Sequence, residues 1–138
     1  MKKLFFTLLF VFSMITVFST TKAQTLDFCQ SVNSYGDPIG SYKAWNCNNS
    51  NCYVYALLKF PNSVKKYYYN PYYVYYDVYK WNSYSSKYEY ITTESLYITD
   101  VDNNWFSKKL YFYSSGWYKV QVYVDKNYVG FAELHWNF

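Results

Sequence analysis

His135 is the single histidine among 138 residues, so a catalytic or metal centre in this chain would have to draw on carboxylates, serines and three cysteines. A zinc site built from several imidazoles has no second one to use, and no second base accompanies His135. Period-two alternation in "VGFAELHW" turns His135 outward on a strand, where it reads as a surface histidine. No Gly-x-Ser-x-Gly elbow is present, and no serine has a histidine and an acid at recognisable spacing, so the serines read as turn residues. "DVDNN", Asp100 to Asn104, begins like a calcium loop with side-chain oxygens at alternate positions. The pattern then fails, because Trp105 stands at the glycine position and Tyr111 at that of the bidentate glutamate. Two carboxylates flanking a sugar bond would make a glycosidase, and Asp77 with Glu133 is the pair to weigh. The expectation from these residue types is a non-catalytic chain with no metal and no cofactor.

The elements that would position any site begin after the amino terminus. "MKKLFFTLLFVFSMITVFSTTKA" carries two lysines, an apolar run of 15 residues from Leu4 to Phe18, and a polar stretch closing on the small Ala23. That is the layout of a secretory signal peptide over residues 1–23, and the run is shorter than the roughly 17 to 25 residues that span a bilayer. Cleavage after Ala23 would make Gln24 the first mature residue and leave no membrane span. Asp27 and Phe28 before Cys29 are a poor fit to the small residues that precede a lipid-modified cysteine. The expected location is therefore outside the cytoplasm: secreted, periplasmic or at the cell surface.

Charge narrows the partners. The whole chain is +4, but removing Lys2, Lys3 and Lys22 leaves ten lysines against nine acids. No arginine occurs anywhere, although arginine is the side chain that forks onto phosphate and guanine. Nucleic acid is thus not an expected partner. All 21 tyrosines and all five tryptophans follow residue 23, far more rings than one core of a domain this size can bury.

Periodicity is two rather than 3.6 nearly throughout. The segment 24–40, containing "SYGDPIGS", reads as turn-rich, and a short strand is expected near Tyr42 to Asn46. In "CYVYALLKF" the residues Val54, Ala56, Leu58 and Phe60 face a core, while Tyr53, Tyr55, Leu57 and Lys59 face out. "YYVYYDVYKW" turns Val74, Tyr76 and Val78 inward. Weaker strands are expected near Tyr88 to Thr92 and Trp105 to Tyr113. "WYKVQVYV" directs Tyr118, Val120, Val122 and Val124 inward, and "VGFAELHW" sets Ala132, Leu134 and Trp136 on one face. About seven short strands with turn signals between them point to an all-β, single antiparallel sandwich over 41–138, with a barrel as the alternative architecture.

The stretch "SSGWYKV" favours the sandwich. It resembles the approach to strand F in immunoglobulin-like and fibronectin-like domains, with Gly116 in the tight corner and Tyr118 as the corner tyrosine. The resemblance covers the last third of the chain, and the remainder only by strand count. It departs from antibody domains, since Val120 stands where the disulfide cysteine would be and the strand-C segment offers no inward tryptophan. What it implies is a bacterial type of immunoglobulin-like or fibronectin-like sandwich in which strand F lies between C and G. Asp77 and Glu133 would then be about 9 to 10 Å apart from strand spacing alone, at the outer limit for an inverting glycosidase and on a flat face.

In an oxidising compartment three cysteines allow three single pairings. Cys47 and Cys52 bracket the turn-like "NNSN" and would suit a disulfide if they end on facing strands. Cys29 is the competitor, because a bridge from it would tie down the turn-rich segment.

If strands C, F and G are neighbours, Tyr73, Tyr75, Asp77, Tyr79, Trp81, Trp117, Lys119, Gln121, Tyr123, Phe131, Glu133 and His135 line one outward sheet surface. Rings supply flat apolar area at low entropy cost and the polar groups supply direction, which suits a binding module for glycan or a protein partner. The opposite sheet would show Tyr53, Tyr55, Trp105, Tyr111 and Tyr113. Tyrosines on both faces would also suit a structural subunit that associates with copies of itself.

Overall fold

The computed structural model describes residues 24–47 and 52–138; residues 1–23, expected to be a signal peptide, and "NNSN", read as turn-like, lie outside the described residues. Among the described residues are nine strands: β1 Thr25–Val32, β2 Pro38–Ser41, β3 Ala44–Asn46, β4 Tyr53–Lys59, β5 Tyr73–Asn82, β6 Lys87–Tyr97, β7 Trp105–Tyr111, β8 Gly116–Val124 and β9 Asn127–Asn137. They form a four-stranded sheet ordered β2-β1-β4-β7 and a five-stranded sheet ordered β3-β9-β8-β5-β6. All pairings are antiparallel except β3 with β9, which is parallel. The fold is all-β, with nine strands where about seven were expected. The two additional strands, β1 and β2, come largely from the segment read as turn-rich.

One core lies between the sheets, and alternation explains its membership. Val54, Ala56 and Leu58 of β4 meet Val74, Tyr76 and Val78 of β5 and the Tyr118, Val120, Val122, Val124 series of β8, all buried. Each valine or leucine among them contributes roughly 1.5 to 3 kcal/mol on leaving water. Tyr76 is a ring with a hydroxyl in this dry layer, so it needs an acceptor. It donates to the Phe106 carbonyl at 3.2 Å, from the five-stranded sheet to the other, and burial pushes its phenol far above the ordinary value.

The outward side of the four-stranded sheet does not follow the simple alternation. Leu57 faces away from the core yet is 1% exposed, and Cys29 of the neighbouring β1, opposite Tyr55, is buried as well. Neither belongs to the central core. Their cover is the β1–β2 hairpin. Lys59 is the register partner of Thr25 at the start of β1, yet Asp37, beyond the end of β1, also reaches Lys59 at 2.7 Å. A flat sheet would leave β1–β2 two strands from β7, but Gly36 at its tip lies directly against the Trp105 indole of β7. The hairpin therefore doubles back across the sheet. Asn33 builds its tip by accepting from the backbone N–H groups of Tyr35 and Asp37, both at 2.9 Å. Gly36 adopts φ +76°, and a Cβ there would overlap the indole. Leu57, expected to face solvent, is thus enclosed.

At the entry to β8, Tyr118 is buried and donates from its hydroxyl to the Ser114 carbonyl four residues upstream, at 2.8 Å. Its ring packs on Phe112 with centroids 4.6 Å apart. Gly116 takes φ +147°, where a Cβ would come 2.9 Å from Cε of Lys80. Cys47 and Cys52 form a disulfide with Cα atoms 5.2 Å apart, and Cys29 is a buried thiol raised by desolvation and by the charge of Asp27.

Candidate binding face

The outward residues of β5 and β8 stand in register, and β6 and β9 flank them. At one end, Trp81 pairs with Tyr88 and Trp117 with His135, their ring centroids 5.3 and 5.0 Å apart. The next row runs Tyr90, Tyr79, Lys119, Glu133. A central row follows, Thr93, Asp77, Gln121, closed by Phe131. Beyond it, Ser95, Tyr75, Tyr123 and Tyr128 form the fourth row, and Tyr73 with Tyr97 the last. All twelve residues expected on one face are brought together there.

Four aromatic members were missed by alternation alone: Tyr88, Tyr90, Tyr97 and Tyr128. The reason is a bulge in each flanking strand. Between Val78 and Tyr79 the register with β6 slips, so that Thr92 pairs with Val78 and Tyr90 with Tyr79, leaving Ile91 unpaired. Outward residues are then even-numbered before the bulge and odd-numbered after it. A second slip at Val122/Tyr123 turns Tyr128 outward beside Tyr123, at 5.5 Å, while Val129 enters the core.

Two aromatic bands thus flank a polar one. Tyr75 and Tyr79 are four strand residues apart, about 13 Å. Between them Asp77 accepts from the Thr93 hydroxyl at 2.6 Å, and Thr93 shares a 2.9 Å bond with the Tyr90 hydroxyl. Gln121 accepts from the Tyr123 hydroxyl at 3.4 Å. Phe131, Tyr128, Trp117, Tyr90 and Tyr97 are each about half exposed, at 49 to 58%. The rings are held by neighbours rather than by depth. The Lys119 ammonium lies 4.6 Å from the Tyr88 ring centroid, 5.5 Å from Tyr79 and 5.8 Å from Phe131, a cation–π cluster that fixes all three. Tyr88 is pushed up to about 12 by burial and by its hydrogen bond to Glu133. Burial, then the Asp77 charge, raises Tyr79 as well.

The carboxylate pair separates on inspection of register. Asp77 shares its row with Gln121 and Phe131, whereas Glu133 sits one row away opposite Lys119. The "DVDNN" oxygens are already engaged: Asp100 accepts from the Asp102 N–H, Asn103 Oδ1 accepts from the Asn104 N–H, and Asp102 pairs with Lys65. Among the described residues no three His, Cys, Asp or Glu cluster as metal ligands, and no helix is long and apolar enough to cross a membrane.

No protein-family model and no curated protein sequence matches the chain.

Proposed function

We propose that this protein is an exported, non-catalytic binding module of immunoglobulin-like fold that holds an extended glycan chain against the outward face of β5, β6, β8 and β9. The observation that carries the reading is the banding of that face. Two rows of half-exposed rings offer stacking surfaces about 13 Å apart, and the Asp77–Gln121–Thr93 row between them offers acceptors and donors for hydroxyls. An uncovered aromatic sheet of this extent is unusual for a protein with nothing to bind. The immunoglobulin-like assignment is supported by the order β3-β9-β8-β5-β6, by the parallel β3–β9 pairing and by the Tyr118-to-Ser114 corner bond. Export is supported by the layout of residues 1–23 and by the Cys47–Cys52 disulfide. An intact mass for exported protein that begins at Gln24 is expected; an uncleaved chain would remove that part of the reading.

The test of binding is pull-down on a panel of insoluble polysaccharides. Trp117→Ala and Tyr75→Ala are each expected to weaken binding by about 1 kcal/mol or more while the fold is retained. Tyr118→Ala is expected to destabilise the fold instead by about 3 to 5 kcal/mol, since it empties a core site and the corner. Retention on no polysaccharide by the wild type would sink the glycan reading.

A second reading has its own observation. β6 is an 11-residue edge strand, exposed along most of its length, and such edges pair with other chains. An assembly subunit would then be the function, with the rings packing between copies. Sedimentation separates the two, since self-association at micromolar concentration favours assembly and a monomer favours the glycan face.

A further inference from the structure

The aromatic face is flat, but the molecule also has a concave site, and it lies elsewhere. β6 and β7 are the open edges of their respective sheets, and between them is a cleft of about 310 Å³. That is the lower end of the range for small-ligand sites. Its floor is core: Val78, Leu110, Phe112 and Tyr118, none more than 4% exposed. Its wall is Ile91, the residue that the β6 bulge leaves without a partner on β5, and that side chain is 54% exposed. A bulge that lifts a large aliphatic group to the lip of an apolar cleft leaves area that an apolar ligand would take out of water.

The lining holds two charged residues, Glu94 and Lys80. Glu94 at the rim is matched by Lys108 across the gap from β7, at 3.6 Å. Glu89 is the register partner of Lys80 on β6, but its carboxylate accepts from the Ser85 hydroxyl at 3.0 Å and makes no ion pair with Lys80. The Lys80 ammonium donates to the Ser114 hydroxyl at 2.7 Å and stands 5.7 Å over the Tyr118 ring, and it forms no ion pair among the described residues. Lys80 continues the inward series Val74, Tyr76, Val78 of β5, so its stem lies along the cleft wall with its charge at the mouth.

We propose that the β6–β7 cleft binds a small amphipathic monocarboxylate. Its apolar body lies between Ile91 and Phe112, and its carboxylate accepts from the Lys80 ammonium and the Ser114 hydroxyl. One unmatched cation and one hydroxyl select a single anionic group. The site shares no residue with the aromatic face, so the two readings stand or fall separately.

Titration of 4-phenylbutyrate into the exported protein, followed by methyl NMR, tests this. Saturable shifts are expected at Val78, Ile91 and Leu110, with 4-phenylbutyramide binding at least tenfold more weakly. Lys80→Met should make acid and amide equal. Ile91→Trp, which fills the mouth without touching the charge, should weaken both at least tenfold at unchanged Tm, and it keeps the test decisive should the lysine variant fold poorly. The proposal is overturned by absence of saturable shifts, by equal affinity for acid and amide in the wild type, by shifts that map instead to the Thr93 methyl of the aromatic face, or by cleft signals that move with protein concentration alone, which would mean a second copy fills it.

Discussion

On the outward side of β4, Leu57 is 1% exposed; on the outward side of β5, Tyr73 is 39% exposed and Trp81 is 41% exposed. Both are interior strands of their sheets, and both sheets carry tyrosines and a lysine laid over rings: Lys109 on Tyr53 at 4.1 Å in one, Lys119 on Tyr88 at 4.6 Å in the other. What differs is the cover. The chain folds its own β1–β2 hairpin over the Leu57 end of the four-stranded sheet, fastened at Lys59 and Trp105, with Tyr111 at the far end still 52% exposed, and it leaves the rings of the five-stranded sheet in water. A sheet face that the protein encloses itself is part of stability. A sheet face that it leaves ringed and uncovered is available for something else.

Truncation should separate the two faces most widely. Leu57→Ala is expected to cost about 3 kcal/mol in urea denaturation, because the hairpin above it is fastened at both ends and cannot collapse into the cavity. Tyr75→Ala, at an outward position of the other sheet, is expected to cost less than about 1 kcal/mol. Equal losses would mean that the aromatic face is as structural as the enclosed one, and its claim to bind would weaken.

The hairpin itself gives a smaller effect. Gly36→Ala sets a Cβ into the Trp105 indole at a positive φ, which is expected to cost about 2 kcal/mol. The loss should be local. Cys29, the buried thiol on β1 of that hairpin, would become reactive to a thiol reagent roughly tenfold faster or more, while polysaccharide binding is unchanged. A stable variant whose Cys29 stays silent would show that something other than the hairpin tip shields the sheet.

The core and the enclosed face were not equally legible in the sequence. Alternation in "YYVYYDVYKW" and "WYKVQVYV" put Val74, Tyr76, Val78, Val120 and Val122 inward, as found, because strand side chains alternate strictly within a regular ladder. The same rule turned Leu57 outward correctly but gave no account of what covers it, since the cover comes from a segment some twenty residues earlier whose turn chemistry hid two strands. The aromatic face was legible in its centre and not at its edges. Tyr88, Tyr90, Tyr97 and Tyr128 lie on strands whose bulges reset the parity, and a bulge has no period of its own to read. A faint signal existed in "YEYITTESLY", where tyrosines fall at even positions and then at an odd one.

The finest distinction between the faces is a single phenol. Tyr88 belongs to the uncovered sheet, yet burial, together with the hydrogen bond it donates to Glu133 and that carboxylate's charge, pushes it up to about 12 from an ordinary 10.0. In the unfolded chain the proton is lost near the ordinary value; in the folded protein it is kept. Between pH 10 and pH 12 the unfolded state therefore binds fewer protons, and the stability that Tyr88 contributes below that window falls as pH rises through it. Tyr76 adds to the same alkaline loss from within the core. Tyr88→Phe should flatten part of the decline of stability between those pH values and leave stability near neutrality changed by only a few tenths of a kcal/mol. Glu133→Gln should bring the Tyr88 titration, followed by phenolate absorbance, back toward its ordinary value. If the Tyr88→Phe curve follows the wild type throughout the window, the Lys119 cluster does not seclude any ring, and the face is held open less firmly than its geometry implies.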